Sequence, residues 1–356
     1  MVFKSYQNQI VKEDLFLLVN SNFISAMEIK DSIFPKEKEE EFPWDDKALQ
    51  AFKKVIRDQG IKCRMDDIFL LGILRARKYD MQRSLKMLKN YYEVRIEYSQ
   101  YFKDLLPSKL EHVLSLNFIQ ILPKPDSKGR FIYFCQNSKW DTSVANMTDA
   151  FRTTMLIFDL MLNFHRTQEN CMVVIVDASG ITLSHFLQMS PSFFNSILNV
   201  LLKDTYPLRY KETHYVNMNI ITKAILTMMI PLMPTKLKER LHFHSDMSTL
   251  HEFIHPDYLP LELGGNLPSD ESEFNNMIRA NEEFFRKNEE YLRLYEEERN
   301  KHFSQGKFTY IGEDFEDEKV KKFLEKSEEK FKCYSDDPEA FMASLKQDSE
   351  LEITHF

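Results

Sequence analysis

The run "CMVVIVD", residues 171–177, constrains this chain more than any other stretch. Six apolar side chains follow one another before an aspartate, so both sides of a strand here would be greasy. Such a strand is stable only where both faces are covered, as inside a parallel sheet. Parallel neighbours need crossovers, and the flanks supply them. Phe151, Met155, Phe158 and Leu162 repeat at helical spacing before the run, and Phe194, Ile197, Leu198 and Leu201 repeat after it, with Pro191 near a first helical turn. Upstream, "FIQIL" and "RFIYFCQ" read as short strands around the turn "PKPDSKG"; downstream, "HYVN" (214–217) and "LHFH" (241–244) offer further strands. This alternation predicts an α/β fold with a helix-covered sheet from about residue 118.

Residues 1–43 read as an N-terminal extension ending in the charged, proline-bounded linker "PKEKEEEFP" (35–43). Residues 44–102 read as a small helical bundle. Ala48, Leu49, Phe52, Val55 and Ile56 share a helical face after Asp45, and Gly60 can end that helix. In "RMDDIFLLGILRARKYD" (64–80), Ile68, Phe69, Leu71, Gly72, Leu74 and Arg75 recur at helical spacing. Asp66 and Asp67 suit the first turn, where the helix dipole favours negative charge, and Asp80 reads as the cap of the next helix. After Gly264-Gly265 the chain turns charged: Phe274, Met277, Phe284, Tyr291 and Tyr295 mark an amphipathic helix against the main body. The acidic "EDFEDE" (313–318) and a last charged helix read as a mobile tail.

Several chemistries are poorly supplied. The eight glycines form neither GxGxxG, a P-loop nor GxSxG, which weighs against a nucleotide enzyme or a common hydrolase. His242 and His244 lie on one side of a strand and can suit a metal, but no Cys or carboxylate cluster stands nearby, so structural histidines are the simpler reading. Asp177, at a strand end, more often holds the following loop than acts as an acid or base. Cys63, Cys135, Cys171 and Cys333 are widely spaced, which favours reduced thiols and a cytoplasmic protein. The short run Leu15–Val19 is too brief for a signal peptide's core, and no stretch approaches the roughly 18 apolar residues of a membrane span. A net charge of −8 argues against nucleic acid as a partner. Residues 203–240 nevertheless carry seven basic side chains against three acidic ones, a local excess on an acidic molecule.

Apolar bulk is what the chain has in abundance, and many of its 29 Phe and 17 Met fall within 151–233. The stretch 220–233 is apolar almost all round and broken by Pro231 and Pro234, so it is either fully buried or covers something greasy. A methionine-rich cover suits a ligand that enters and leaves.

"DDIFLLGILRARKYD", "VIVDASGITLSHFLQMSP" (174–191), "DTYPLRYKETHYVN" (204–217), "PLMPTKLKERLHFH" (231–244) and "LPLELGG" (259–265) together resemble the CRAL-TRIO family over roughly 45–266. The resemblance implies a helical bundle (44–102), then a lipid-binding lobe (103–266) whose mixed, mainly parallel sheet floors a hydrophobic pocket under a mobile lid helix in 219–233. Residues 267–356 form a charged helical extension outside the pattern. Family pocket positions fall on Phe158, Val174, Val176, Leu198, Leu201, Leu202 and Thr213, with Ile221, Ile225, Met228 and Met229 on the lid. A phosphoinositide site falls on Arg209, Lys211, Lys236 and Arg240. Two-residue spacing on a strand and four-residue spacing on a helix let each pair share a face. The implied protein is a monomeric, non-enzymatic carrier without a cofactor or metal. It takes a small lipophilic ligand, retinoid- or tocopherol-like, to or from phosphoinositide-containing membranes by peripheral contact. A phospholipid exchanger and an adaptor working through its acidic tail are the alternatives.

Overall fold

A computed structural model describes residues 29–202, 205–268, 273–304 and 318–347. The extension 1–28, Lys203, the acidic run 313–317 and the side chain of Leu202 lie outside the described residues.

Three helices open the fold: α1 (Asp46–Asp58), α2 (Asp67–Ala76) and α3 (Met81–Glu97). Each begins where an aspartate side chain accepts a backbone N–H that the helix leaves unpaired: Asp45 from Ala48, Asp66 from Phe69 and Asp80 from Arg83. The lobe follows with β1 (Ile119–Ile121), β2 (Phe131–Gln136), α4 (Met147–Met161), α5 (His165–Asn170), β3 (Met172–Asp177), α6 (Pro191–Leu202), β4 (Tyr210–Val216), α7 (Ile220–Met229) and β5 (Leu241–Phe243). Helices α8 (Glu273–Ala280), α9 (Glu282–Ser304), α10 (Glu318–Asp336) and α11 (Pro338–Gln347) complete the described chain.

Among the described residues the five strands lie in sequence order, with β1 antiparallel to β2 and every later pair parallel. The run 171–177 is thus an interior strand, as its apolarity demands. Strand periodicity sorts the two faces. Ile132, Phe134, Val173, Ile175 and Val216 point to one face, sealed by Leu250, Ile254, Leu259 and Leu263. Tyr133, Cys135, Val176 and Tyr215 point to the other, beneath α4 and α7.

Buried polar groups tie the bundle to the lobe. The Arg95 guanidinium on α3 donates to Asp159 of α4 (2.7 Å), to the Tyr206 hydroxyl (3.1 Å) and to the Tyr91 carbonyl (2.8 Å), and lies over the Tyr91 ring. Arg75 on α2 donates to Gln168 Oε1 (2.7 Å) and the Phe42 carbonyl (2.8 Å). Gly72 makes room for that joint: a Cβ there would stand 3.2 Å from Gln168 Nε2, which donates to the Ile68 and Leu162 carbonyls.

Two segments depart from the sequence reading. The stretch 35–43, read as a linker, is strapped to the lobe: Phe42 is buried, and the Glu37 carboxylate accepts the first N–H groups of α5, from His165 (2.6 Å) and Arg166 (2.8 Å). Residues 318–347, read as a mobile tail, form two helices that pack on the lobe. Phe331, Phe341 and Leu345 carry them, each less than a tenth exposed. The single amphipathic helix expected over 274–295 is two, α8 and α9, parted at Asn281; its apolar stripe still packs on the main core, with Tyr295 of α9 stacked on Tyr92 and its hydroxyl donating to Glu93 (3.0 Å). All four cysteines are free thiols.

Candidate functional site

Between the sheet, α4 and α7 lies a cavity of about 200 Å³. The sheet contributes Tyr133, Cys135, Val176 and Tyr215, and the β1 entry contributes Phe118 and Ile119. Helix α4 adds Met147, Ala150, Phe151 and Thr154; α7 adds Thr222, Ile225, Leu226 and Met229. Asn137, Trp140, Ala178, Ile181 and Met189 close the rim from loops.

Nearly every polar hydrogen in this wall is already used. Thr154 donates to the Ala150 carbonyl (3.1 Å), so the 2.9 Å contact between the Tyr133 and Thr154 hydroxyls is donated by Tyr133. Asn137 Nδ2 donates to the Asp177 carbonyl (2.8 Å), Trp140 Nε1 to the Ala145 carbonyl (2.8 Å), Thr222 to Asn219 Oδ1 (3.1 Å) and the Cys135 thiol to Asn137 Oδ1 (3.7 Å). Burial pushes that thiol's pKa up to about 12, so it stays protonated. The Tyr215 hydroxyl has no hydrogen-bond partner among the described residues. Its ring stacks on Phe243 at 5.6 Å, and burial raises its pKa above the usual phenolic value.

Helix α7 forms one wall, and its limits follow from sequence. Asn219 caps it by accepting the Thr222 N–H (2.9 Å), while the Asn219 amide donates to the Ile181 carbonyl (2.7 Å). Pro231, lacking an N–H, falls in the 3-10 turn Ile230–Leu232 that ends it. Thr222, Leu226 and Met229 line the cavity, Ile221, Ala224 and Met228 cluster with Phe331, Phe341 and Leu345 of α10 and α11, and Ile225 lies at the border of the two sets. One flank of α7 is thus braced by α10 and α11.

Of the eleven expected pocket positions, Val176, Ile225 and Met229 line this cavity. Ile221 and Met228 sit under α10 and α11. Leu198 packs with Phe194, Leu232 and Leu237, against Phe323 and Leu324 of α10. Phe158 meets the rings of Tyr133 and Tyr206, both at 5.9 Å, and Val174 and Leu201 pack on the main core. Thr213 is buried on β4, its N–H donating to the Arg240 carbonyl (2.8 Å). Leu202 has no described side chain.

The four expected anion-binding residues divide in two. Arg209 donates to the Gln168 carbonyl (2.8 Å), and Arg240 donates to the Tyr210 carbonyl (2.9 Å) with its guanidinium over the Tyr210 ring. Arg240 thereby meets the strand start that carries Arg209 and Lys211. Lys211 and Lys236 are exposed. His242 and His244 stack on His214, at 4.9 and 5.2 Å between ring centres, on the sheet face away from the cavity. His214 Nδ1 and His244 Nε2 share a hydrogen bond of 2.9 Å. Asp177 accepts from the Ser179 N–H (3.0 Å) and the Asn217 amide (2.9 Å), a loop-holding role.

A mainly parallel sheet roofed by an apolar helix over an oily cavity is the architecture of a small-molecule binding lobe. Residues 115–265 match the CRAL/TRIO domain model. Alpha-tocopherol transfer protein-like of Mus musculus is 31% identical over 254 residues, which is 70% of this chain and 74% of that protein; the Homo sapiens protein of that name matches to the same extent. Clavesin-1 of Xenopus laevis is 30% identical over 208 residues, 58% of this chain and 62% of that protein. The chain belongs to the CRAL/TRIO family of lipid-binding and lipid-transfer proteins. No described helix is long and apolar enough to cross a membrane.

Proposed function

We propose that this protein holds one small lipophilic molecule in the cavity beneath α7 and exchanges it with anionic membranes, with no covalent chemistry. The observation that carries this reading is a 200 Å³ void with an apolar wall, closed on one side by a helix of mainly apolar residues. A dry apolar cavity of roughly 150 Å³ accepts a benzene-sized molecule, so a longer chain needs α7 to shift outward. Burial returns about 0.8 kcal/mol per methylene, and about ten methylenes suffice to hold a ligand that water rejects. A relative whose name refers to tocopherol transfer, matched across most of its length, supports a prenyl-type ligand over a phospholipid.

Lys211 and Lys236, exposed beside the arginines that brace β4 and β5, are the surface we assign to anionic headgroups such as phosphoinositides. Positive charge there offsets the repulsion between an acidic protein and an anionic leaflet. Organic extraction of the purified protein with mass spectrometry of the extract tests the reading. One apolar compound per chain supports it, a stoichiometric phospholipid favours the exchanger, and a chain that carries nothing and takes up no polyene lipid from vesicles favours an adaptor.

A further inference from the structure

We propose that the Tyr215 hydroxyl is the specificity-determining contact of the cavity, donating a hydrogen bond to a single oxygen at the polar end of an otherwise hydrocarbon ligand. The proposal rests on the carrier reading and narrows it. Thr154, Tyr133, Asn137, Trp140, Thr222 and Cys135 each already donate to a protein acceptor, which leaves Tyr215 as the one lining side chain with a donor that meets no acceptor among the described residues. A ligand that fills the cavity strips water from this hydroxyl, and a ligand oxygen within reach restores the lost hydrogen bond. One donor in an oily wall fits a long-chain alcohol, aldehyde or ketone. It does not fit a phosphate headgroup, which presents several charged oxygens, nor a plain hydrocarbon.

The test compares two fluorescent probes with the same conjugated-polyene skeleton, one a terminal alcohol and one the hydrocarbon. Tyr215→Phe removes only the hydroxyl. It should weaken the alcohol roughly threefold to tenfold, the range of one net hydrogen bond, and leave the hydrocarbon as tight or tighter. Equal effects on both probes, or none, overturn the assignment. Failure of both probes to bind the wild type overturns the carrier reading instead.

A different observation carries a second inference: α10 and α11 form a latch that holds the lid shut. They lie outside the residues matching the CRAL/TRIO model, yet Phe331, Phe341 and Leu345 pack against the flank of α7 that carries Ile221, Ala224 and Met228. Phe186, just before α6, is clasped by Phe341 (4.5 Å, near-parallel) and Phe331 (5.4 Å), and Tyr334 stacks on Phe341 at 4.1 Å. Phe323 and Leu324 extend the cover over Leu198, Leu232 and Leu237, and the Glu328 carboxylate accepts the Ser192 N–H in the first turn of α6. Since α10 and α11 brace this flank of α7, an outward shift of the helix that admits a ligand larger than the present void must also loosen them.

Phe341→Ser in the full chain removes the centre of the clasp. Hydrogen exchange of residues 220–229 should quicken severalfold without any ligand, and the polyene alcohol should leave for phosphatidylcholine vesicles faster than from the wild type. Loss of protection in α11 with unchanged exchange in 220–229 overturns the latch. Should the variant fail to fold, the wild type decides: phosphatidylcholine vesicles that accept the probe should deprotect α11 and α7 together, and transfer with α11 still protected overturns it.

Discussion

A side chain that faces a void and one that faces a packed layer respond oppositely to enlargement. Val176 faces the cavity, so Val176→Phe should block uptake of the polyene alcohol while leaving the melting temperature nearly unchanged. Leu198 faces Phe194, Leu232 and Leu237, so Leu198→Trp should overpack that layer. Its cost is about 1–3 kcal/mol, read as a lowered melting temperature. Probe binding at a temperature where that variant is folded should survive. Equal behaviour of the two variants would show that the void is not the ligand site. Arg95 is a third kind of residue. Nearly buried and paired with Asp159, it leaves a carboxylate and two tyrosines without their cation when truncated, so Arg95→Ala should destabilise the chain by about 3–5 kcal/mol in urea unfolding. A loss below about 1 kcal/mol would contradict the reading of this cluster as the joint between bundle and lobe.

Among elements, the β4–β5 ribbon is where pH should act. Burial lowers the pKa of His214, and His242 and His244 stacked beside it lower it further, against a smaller opposing pull from Glu212 at 3.7 Å. His165 is held down to about 4 by burial and by Arg75. A histidine whose folded pKa lies below its unfolded value binds protons first in the unfolded chain. Stability is therefore present above about pH 6.5 and is lost as pH falls below it, by on the order of 1.4 kcal/mol per pH unit for a fully buried ring such as His214. Urea unfolding at pH 7 and pH 5.5 should show that loss, and His214→Asn should flatten the difference. Equal stability at both values would mean the rings already carry charge in the fold.

The elements themselves were mostly legible in the sequence because their signals are local. The unbroken apolar run gave β3, three aspartates gave the starts of α1 to α3, and Asn219 with Pro231 bounded α7. The cavity was less legible. Trp140 and Met189 reach it from irregular segments that carry no period, and Phe118 reaches it from just before a three-residue strand. Whether Ile221 or Ile225 faces inward depends on what covers the outside of α7. That neighbour is α10 and α11, a stretch read from sequence only as an acidic run and a last charged helix, so its apolar contacts with α7 were not foreseen.

At the scale of the whole molecule, a chain of net charge −8 approaches an anionic membrane only with a basic face forward. Lys211 and Lys236 are exposed, whereas Arg209 and Arg240 spend donors on backbone carbonyls. Lys211→Ala with Lys236→Ala should therefore weaken binding to phosphoinositide vesicles about thirtyfold, at on the order of 1 kcal/mol per charge, with a shallower salt dependence and unchanged affinity for the polyene alcohol in solution. Undiminished co-sedimentation of the double variant would remove these lysines from the membrane face.

The central claim is that the cavity beneath α7 is a ligand site, and stoichiometry tests it most directly. Wild type and Val176→Phe are incubated with vesicles loaded with the polyene alcohol, separated from them, and the alcohol retained per chain is measured. The account predicts one molecule on the wild type and none on the variant. No retained molecule on the wild type, or equal amounts on both, would contradict it.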